Sequence, residues 1–261
     1  MFIDSHCHLS FPELREQLPA IRTAMAEAQV DRALCICTTL EEFEDVHALA
    51  REHANLWATA GVHPDNEGVR EPTVDDLVAL AAQPKVLAIG ETGLDYYRLG
   101  ERSVADMEWQ RERFRVHIRA ARAAGKPLVI HTRAAADDTL RLIDEEGGEA
   151  AGGVFHCFTE TREVARAALE RGFYISFSGI LTFKNATELK AVAAEVPLER
   201  CLIETDSPYL APVPHRGKLN NPSYVPHVAA ELARLKGCSV EEVAHATTRN
   251  AEALFKMPSL G

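Results

Sequence analysis

Short apolar runs alternate with amphipathic stretches along most of the chain. Phe2-Ile3 opens a run that passes directly into Asp4-Ser5-His6-Cys7-His8, and its apolar, β-branched start predicts a strand. Leu14, Leu18, Ile21, Met25 and Ala28 then recur at helical spacing. Ala33-Leu34-Cys35-Ile36-Cys37 is wholly apolar, the mark of a strand covered on both faces. A helix over about 41–54 leads to a third strand, Leu56 to His63, and a helix near 73–82 to a fourth, Lys85 to Glu91. A long helix over roughly 103–124 carries Met107, Phe114, Ile118 and Ala121 on one stripe and ends at Gly125.

Four further strands follow at the same rhythm. They are Pro127 to His131, Gly153 to His156, Phe173 to Phe177 and Cys201 to Asp206, with helices between them. Val225, Val228, Leu232 and Leu235 mark a last long helix. The long irregular stretch is about 207–223, and no Pro/Gly/Ser-rich linker divides the chain. Eight short apolar strands alternating with helices predict a (β/α)8 TIM barrel of the metal-dependent hydrolase type, one domain over residues 1–261. An open doubly wound sheet shares the alternation, but it usually opens with a glycine-rich phosphate loop that this chain lacks.

Composition changes this picture little. With 46% hydrophobic and 26% charged residues, the 261-residue chain has ordinary globular content. No apolar run approaches a membrane span and no secretory signal opens the sequence, so a cytoplasmic protein without membrane contact is expected. The six cysteines lie mostly inside apolar runs without any Cys-x-x-Cys, and read as small buried hydrophobes. A net charge of −11 argues against broad coating of nucleic acid. It does not exclude a nucleic-acid enzyme, because distant carboxylates are screened within about 8 Å at physiological salt.

The chemistry gathers at the ends of the strands. Side chains alternate faces in an extended segment, so His6 and His8 point the same way. His63, Glu91, His131, His156 and Asp206 also stand at or beside strand ends. In a barrel those ends form one ring at the face that carries function. His6, His8, His131 and His156 with Glu91 and Asp206 are too many ligands for one tetrahedral catalytic ion. They suit two divalent cations sharing a bridging carboxylate, about 3.5–4 Å apart. Glu91 is the natural bridge, with His6, His8 and Asp206 on one ion and His131 and His156 on the other. Asp206 would be the base toward the attacking water. Magnesium, manganese and zinc all remain compatible with this donor set.

Two neutral-imidazole sites of this kind leave positive charge, which attracts phosphate. The loop Pro214-His215-Arg216-Gly217-Lys218-Leu219-Asn220-Asn221 offers Arg216 and Lys218 as phosphate donors, and Arg133 and Arg98 stand ready at the same rim. Tyr96 and Tyr97 offer either a stacking surface for a base or plain rim packing. An amidohydrolase acting on a cyclic amide or lactone is the other enzymatic reading. Many such barrels bridge their ions with a lysine-derived carbamate on the fourth strand, where this chain has Glu91. A metal-binding interaction module without catalysis is the third.

These blocks also carry a family likeness. Asp4-Ser5-His6-Cys7-His8, Gly61-Val62-His63-Pro64, Gly90-Glu91-Thr92-Gly93-Leu94-Asp95-Tyr96-Tyr97, His131-Thr132-Arg133, His156-Cys157-Phe158, Glu204-Thr205-Asp206-Ser207-Pro208-Tyr209-Leu210 and Arg216-Gly217-Lys218 resemble the TatD family of metal-dependent deoxyribonucleases. The likeness runs from Met1 to about Phe255. It implies a TIM barrel, divalent metals on the same six residues, and hydrolysis of DNA, often from 3′ ends of single strands by a 3′→5′ exonuclease. It also implies that His63, Glu204 and Arg216 lie in or near the substrate site. A monomer is expected. The chain departs from the family pattern at Ala134, where an acidic residue is frequent, and at Thr159-Glu160, where Ser-Gly is frequent. Both departures bear on substrate preference, since neither is a ligand.

Overall fold

The apolar runs become the strands of one sheet. In the computed structural model, which describes residues 1–259, eight parallel strands follow one another in chain order around the sheet. They are β1 (Phe2–Cys7), β2 (Val30–Cys35), β3 (Leu56–Ala60), β4 (Val86–Asp95), β5 (Leu128–Arg133), β6 (Gly153–Phe155), β7 (Tyr174–Phe177) and β8 (Cys201–Ile203). The helices α1 (Pro12–Arg15) and α2 (Leu18–Glu27) follow β1, and α3 (Phe43–Glu52), α4 (Val74–Ala81) and α5 (Glu108–Ala124) follow the next three strands. Then come α6 (Ala136–Glu146), α7 (Arg162–Glu170) and α8 (Thr187–Glu195), and after β8 both α9 (Val225–Lys236) and α10 (Val240–Phe255). The TIM-barrel expectation holds, and the strands nearly close on themselves.

Local signals explain several boundaries. Gly125 ends α5 in the left-handed conformation, and Thr73 caps α4 reciprocally with Asp76. The single terminal helix expected from the sequence is two helices. Left-handed Gly237 ends α9, and Ser239 with Glu242 forms the capping box that starts α10. β2 begins earlier than its apolar run, because Arg32 is buried and held by Asp31, Glu252 and the Pro258 carbonyl.

Two cores separate inside from outside. The larger lies between the strands and the helices. The smaller fills one end of the barrel with Ile3, Leu34, Trp57, Ala88, Val129, Val154 and Leu202, plugged by Ala251, Phe255 and Met257. At the other end the seam between β8 and β1 is closed by main-chain bonds, Asp206 N–H to the His6 carbonyl and His8 N–H to the Ser207 carbonyl, both 2.9 Å.

Two register slips set which side chains face inward. Between Asp4 and Cys7, three steps along β1 match two along β2. Between Ile89 and Thr92, three steps along β4 match two along β5. Each is a bulge, which turns the following side chains to the opposite face. Ile3 and Ala88 belong to the inner core. Strict alternation from them would aim Cys7 and Thr92 inward and leave His6, His8 and Glu91 facing the helices. The slips reverse this. Cys7 and Leu94 join the outer core, and His6, His8 and Glu91 turn to the axis.

A candidate metal centre at the open end

Six strands deliver side chains to one point above the inner core. β5, β6 and β8 do so by plain alternation: Val129 to His131, Val154 to His156, Leu202 through Glu204 to Asp206. β1 and β4 need their bulges, and His63 follows β3. Glycine keeps the backbones close there. A Cβ on Gly61 would lie 2.4 Å from the Gly90 carbonyl carbon, and one on Gly93 (φ +132°) 1.9 Å from the His131 carbonyl oxygen.

Glu91 stands at the middle with its two oxygens facing different histidines. Oε2 lies 3.3 Å from His6 Nε2 and 3.9 Å from His8 Nε2. Oε1 lies 3.2 Å from His63 Nε2, 3.2 Å from His131 Nδ1 and 2.7 Å from His156 Nε2. Asp206 Oδ1 is 3.4 Å from His6 Nε2 and 3.3 Å from His8 Nε2. Three ligand groups result: His6, His8 and Glu91; His6, His156 and Asp206; His63, Glu91 and His131. His63, expected at the substrate, thus sits among the ligand atoms. His156 stands between the two halves, stacked on His6 at 3.8 Å.

The histidines are oriented from behind. His131 Nε2 pairs with Asp95 Oδ2 at 2.8 Å, and His156 Nδ1 with Glu204 Oε1 at 3.1 Å. If those nitrogens carry the protons, His131 Nδ1 and His156 Nε2 present lone pairs toward Glu91, an arrangement that needs a cation between them. Other atoms point the same way. His6 Nδ1 and Nε2, His8 Nδ1 and His156 Nε2 are buried without hydrogen-bond partners. An unmet buried polar atom costs about 1–3 kcal/mol, and divalent ions bound by imidazole and carboxylate would satisfy the inward-facing ones. The donor set therefore fits the metals the sequence called for.

Electrostatics keep both central carboxyls ionised. Burial opposes charge on Glu91, yet His156, His63 and His6 outweigh it and hold this carboxyl well below its ordinary range. Burial likewise opposes charge on Asp206, and His8, His6 and His156 bring it below the ordinary value. Burial opposes the His156 imidazolium too, but in the metal-free protein Glu91 and Glu204 push it well up; a cation there would take the proton's place on Nε2. His6 moves the other way, lowered by burial and by His156.

Above these groups opens a cleft of about 660 Å³. His8, His63, Glu91, His131, His156 and Asp206 face it, and Arg98 and Arg133 line its rim. Three expected substrate contacts lie elsewhere. Glu204 is fully buried behind His156 and does not reach the cleft, so its place is that of a group orienting a histidine. Arg216 and Lys218 are exposed on the loop after β8 rather than in the cleft lining, with Arg216 stacked on Phe183 at 3.6 Å. That loop is tied down by Asn220, which donates to the Thr205 carbonyl at 3.0 Å, and by His215 against His227 at 3.1 Å.

The two tyrosines divide. Tyr96 is buried and donates to Asp138 at 2.7 Å, whereas Tyr97 is exposed beneath Arg133. The two departures from the family pattern touch each other: Glu160, raised by burial, meets the backbone N–H of Ala134. Asp95, given no role by the sequence motifs above, stands behind His131. It lies four residues past Glu91 on one strand, an even count that places both on the same face.

Comparison with known proteins bears on the family and the fold. The model of the family described as TatD related DNase matches residues 3–256. An uncharacterized metal-dependent hydrolase of Escherichia coli K12, YcfH, is 48% identical over 257 residues, covering 97% of this chain and 95% of that protein. The 3′-5′ ssDNA/RNA exonuclease TatD of Citrobacter rodentium is 37% identical, covering 87% of this chain and 88% of its own. The crystal structure of YJJV, a TatD homologue from E. coli K12, superposes with a TM-score of 0.89 at 28% identity, covering 98% of each chain.

Proposed function

The chain belongs to the TatD family of metal-dependent hydrolases, and from that premise we propose that it cleaves phosphodiester bonds of DNA, removing nucleotides from the 3′ ends of single strands. The observation that carries the reading is the division of Glu91, Oε2 toward His6 and His8 and Oε1 toward His131 and His156. A carboxylate so divided suits a bridge between two divalent ions. His6, His8 and Asp206 would hold the first with Glu91, and His131 and His156 would hold the second, with His63 beside it. Bound ions of this kind lower the pKa of water and neutralise charge on attacking and leaving oxygens.

The chain's own groups supply the rest. Asp206, ionised and open to the cleft, accepts the proton of the attacking water. Asp95 and Glu204 keep His131 and His156 in the tautomers that face inward. Arg98 and Arg133 hold phosphate at the rim, while Arg216 and Lys218 meet the strand farther out. The imidazole-rich donor set favours zinc or manganese and leaves magnesium open. The relative from Citrobacter named as an exonuclease supports this substrate. A monomer acting in the cytoplasm completes the reading. Six unpaired cysteines are in keeping with that compartment.

Incubation of the metal-loaded protein with single-stranded DNA labelled at its 5′ end tests the proposal. A ladder of progressively shortened labelled strands is expected. No cleavage with magnesium, manganese or zinc, beside turnover of a lactone or cyclic amide, overturns it.

A further inference from the structure

The cleft over the histidines has two unlike walls. Beside His8 and Asp206 the wall is aromatic and apolar. Phe11 stacks on His8 with ring centroids 4.7 Å apart and meets Tyr209 edge to face at 6.4 Å. Leu210 and Ile180 continue it. Their loops can meet because residue 179 is glycine, where a Cβ would fall 2.0 Å from the Leu210 carbonyl oxygen. Tyr209 leaves 55% of its surface exposed at the mouth.

Beside His131, whose far side is met by Asp95, the wall carries two arginines, with Asp65 also in the lining. The Arg133 guanidinium lies 3.7 Å over the Tyr97 ring, and Arg98 stands on the same side. Among the described residues neither arginine forms an ion pair, whereas Arg111, Arg113, Arg115 and Arg119 on α5 all do. A guanidinium stacked on a ring keeps its in-plane N–H groups free for an anion's oxygens. The net charge of −11 makes the molecule as a whole repel a polyanion. Affinity for a strand must then come from local features, and these two walls are the ones beside the metal ligands.

We propose that the cleft is a nucleotide subsite of fixed sense: the base beside the scissile phosphate stacks on the exposed face of Tyr209 with Phe11 at its edge, and the flanking phosphate lies against Arg133 and Arg98. The inference rests on the nucleic-acid reading above. Stacking of this kind accepts every base, because each has a π-face. It therefore gives a preference for strands that carry bases without a preference for sequence.

Two single strands test it, one natural and one with abasic units at its last two 3′ positions, so that both bases flanking the scissile phosphate are missing. Wild type is expected to show a KM for the natural strand about tenfold or more below that for the abasic one, the size of one base-on-aromatic stack. Tyr209→Ala brings that ratio near one and Tyr209→Phe keeps it. Arg133→Gln keeps the ratio and reduces the slope of log KM against log salt by about 0.7, one phosphate's share on a single strand. An unchanged ratio in Tyr209→Ala overturns the subsite while the nuclease reading stands. Failure of wild type to cleave the natural strand overturns that reading and the subsite with it.

Discussion

The two ends of the barrel are built on the same strands and do opposite things with their inward side chains. At the closed end Ile3, Ala88, Val129, Val154 and Leu202 meet Phe255 and Met257 in an apolar core. At the open end the same strands offer His6 and His8, Glu91, His131, His156 and Asp206, with four imidazole nitrogens buried and unpartnered. Burial of apolar groups stabilises the first end on folding. At the second, folding leaves polar groups unmet until something binds there. The closed end supplies stability, and the open end holds a site under polar tension that its ligand relieves.

The largest test of this division is Glu91→Gln, which keeps shape and removes the bridging charge. Hydrolysis should fall by at least about a thousandfold, near 4 kcal/mol in the barrier, while melting of the metal-free protein shows the fold intact. Rates that survive the substitution break the bridging role. Next is Phe255→Ala in the closed end, expected to cost about 3–5 kcal/mol by denaturant unfolding. Activity per folded molecule should stay within about twofold of wild type. A selective loss of activity would show that the two ends are not independent.

A buried histidine outside the site sharpens the contrast. His117 on α5 has both ring nitrogens met, Nε2 accepting from Val62 N–H at 2.9 Å and Nδ1 donating to the Arg113 carbonyl at 2.8 Å. Burial lowers its pKa from 6.5 to about 4. Because the folded value is depressed, this group's contribution is fully present above pH 6.5 and is lost as pH falls toward 4. The loss is about 3 kcal/mol over that window. Stability curves of wild type and His117→Gln should therefore diverge by about that total between pH 6.5 and 4. Parallel curves would mean that His117 does not titrate there.

The smallest effect is expected behind the ligands. Glu204→Gln keeps the side chain's size beside His156 and removes its charge. Metal affinity measured by competitive titration should fall by about 10- to 100-fold. No change in affinity would reduce Glu204 to a packing residue.

Much of the molecule was legible along the chain because its signals are local. An apolar run of five residues between amphipathic stretches announces a buried strand wherever it lies, and the residue ending that run is visible beside it. His131 and His156 are of this kind, each two positions past an inner-core valine. The second terminal helix is less legible because its buried face is built largely of small and polar residues, Ala244, Ala246, Thr247, Asn250 and Ala251, although Ser239 and Glu242 mark its start. Glu204 and Arg216 escaped differently. Their chemistry suits a substrate, and depth alone places Glu204 behind His156 and Arg216 out on the surface.

By itself, then, the sequence determined the eight-fold rhythm and the candidate ligand types at the strand ends, which are local signals, and the pairing of His6 with His8, a consequence of alternation within one strand. The tertiary structure alone decided where those side chains point. Strict alternation from Ile3 and Ala88 would have aimed His6, His8 and Glu91 at the helices, and the slips against β2 and β5 turned them to the axis. It also decided which Glu91 oxygen meets which histidine, and that Asp95 and Glu204 stand behind two of them. The physical reason is that a bulge is a property of two strands together. The extra residue belongs to one chain segment, but only hydrogen bonding to its neighbour defines where the extra residue falls.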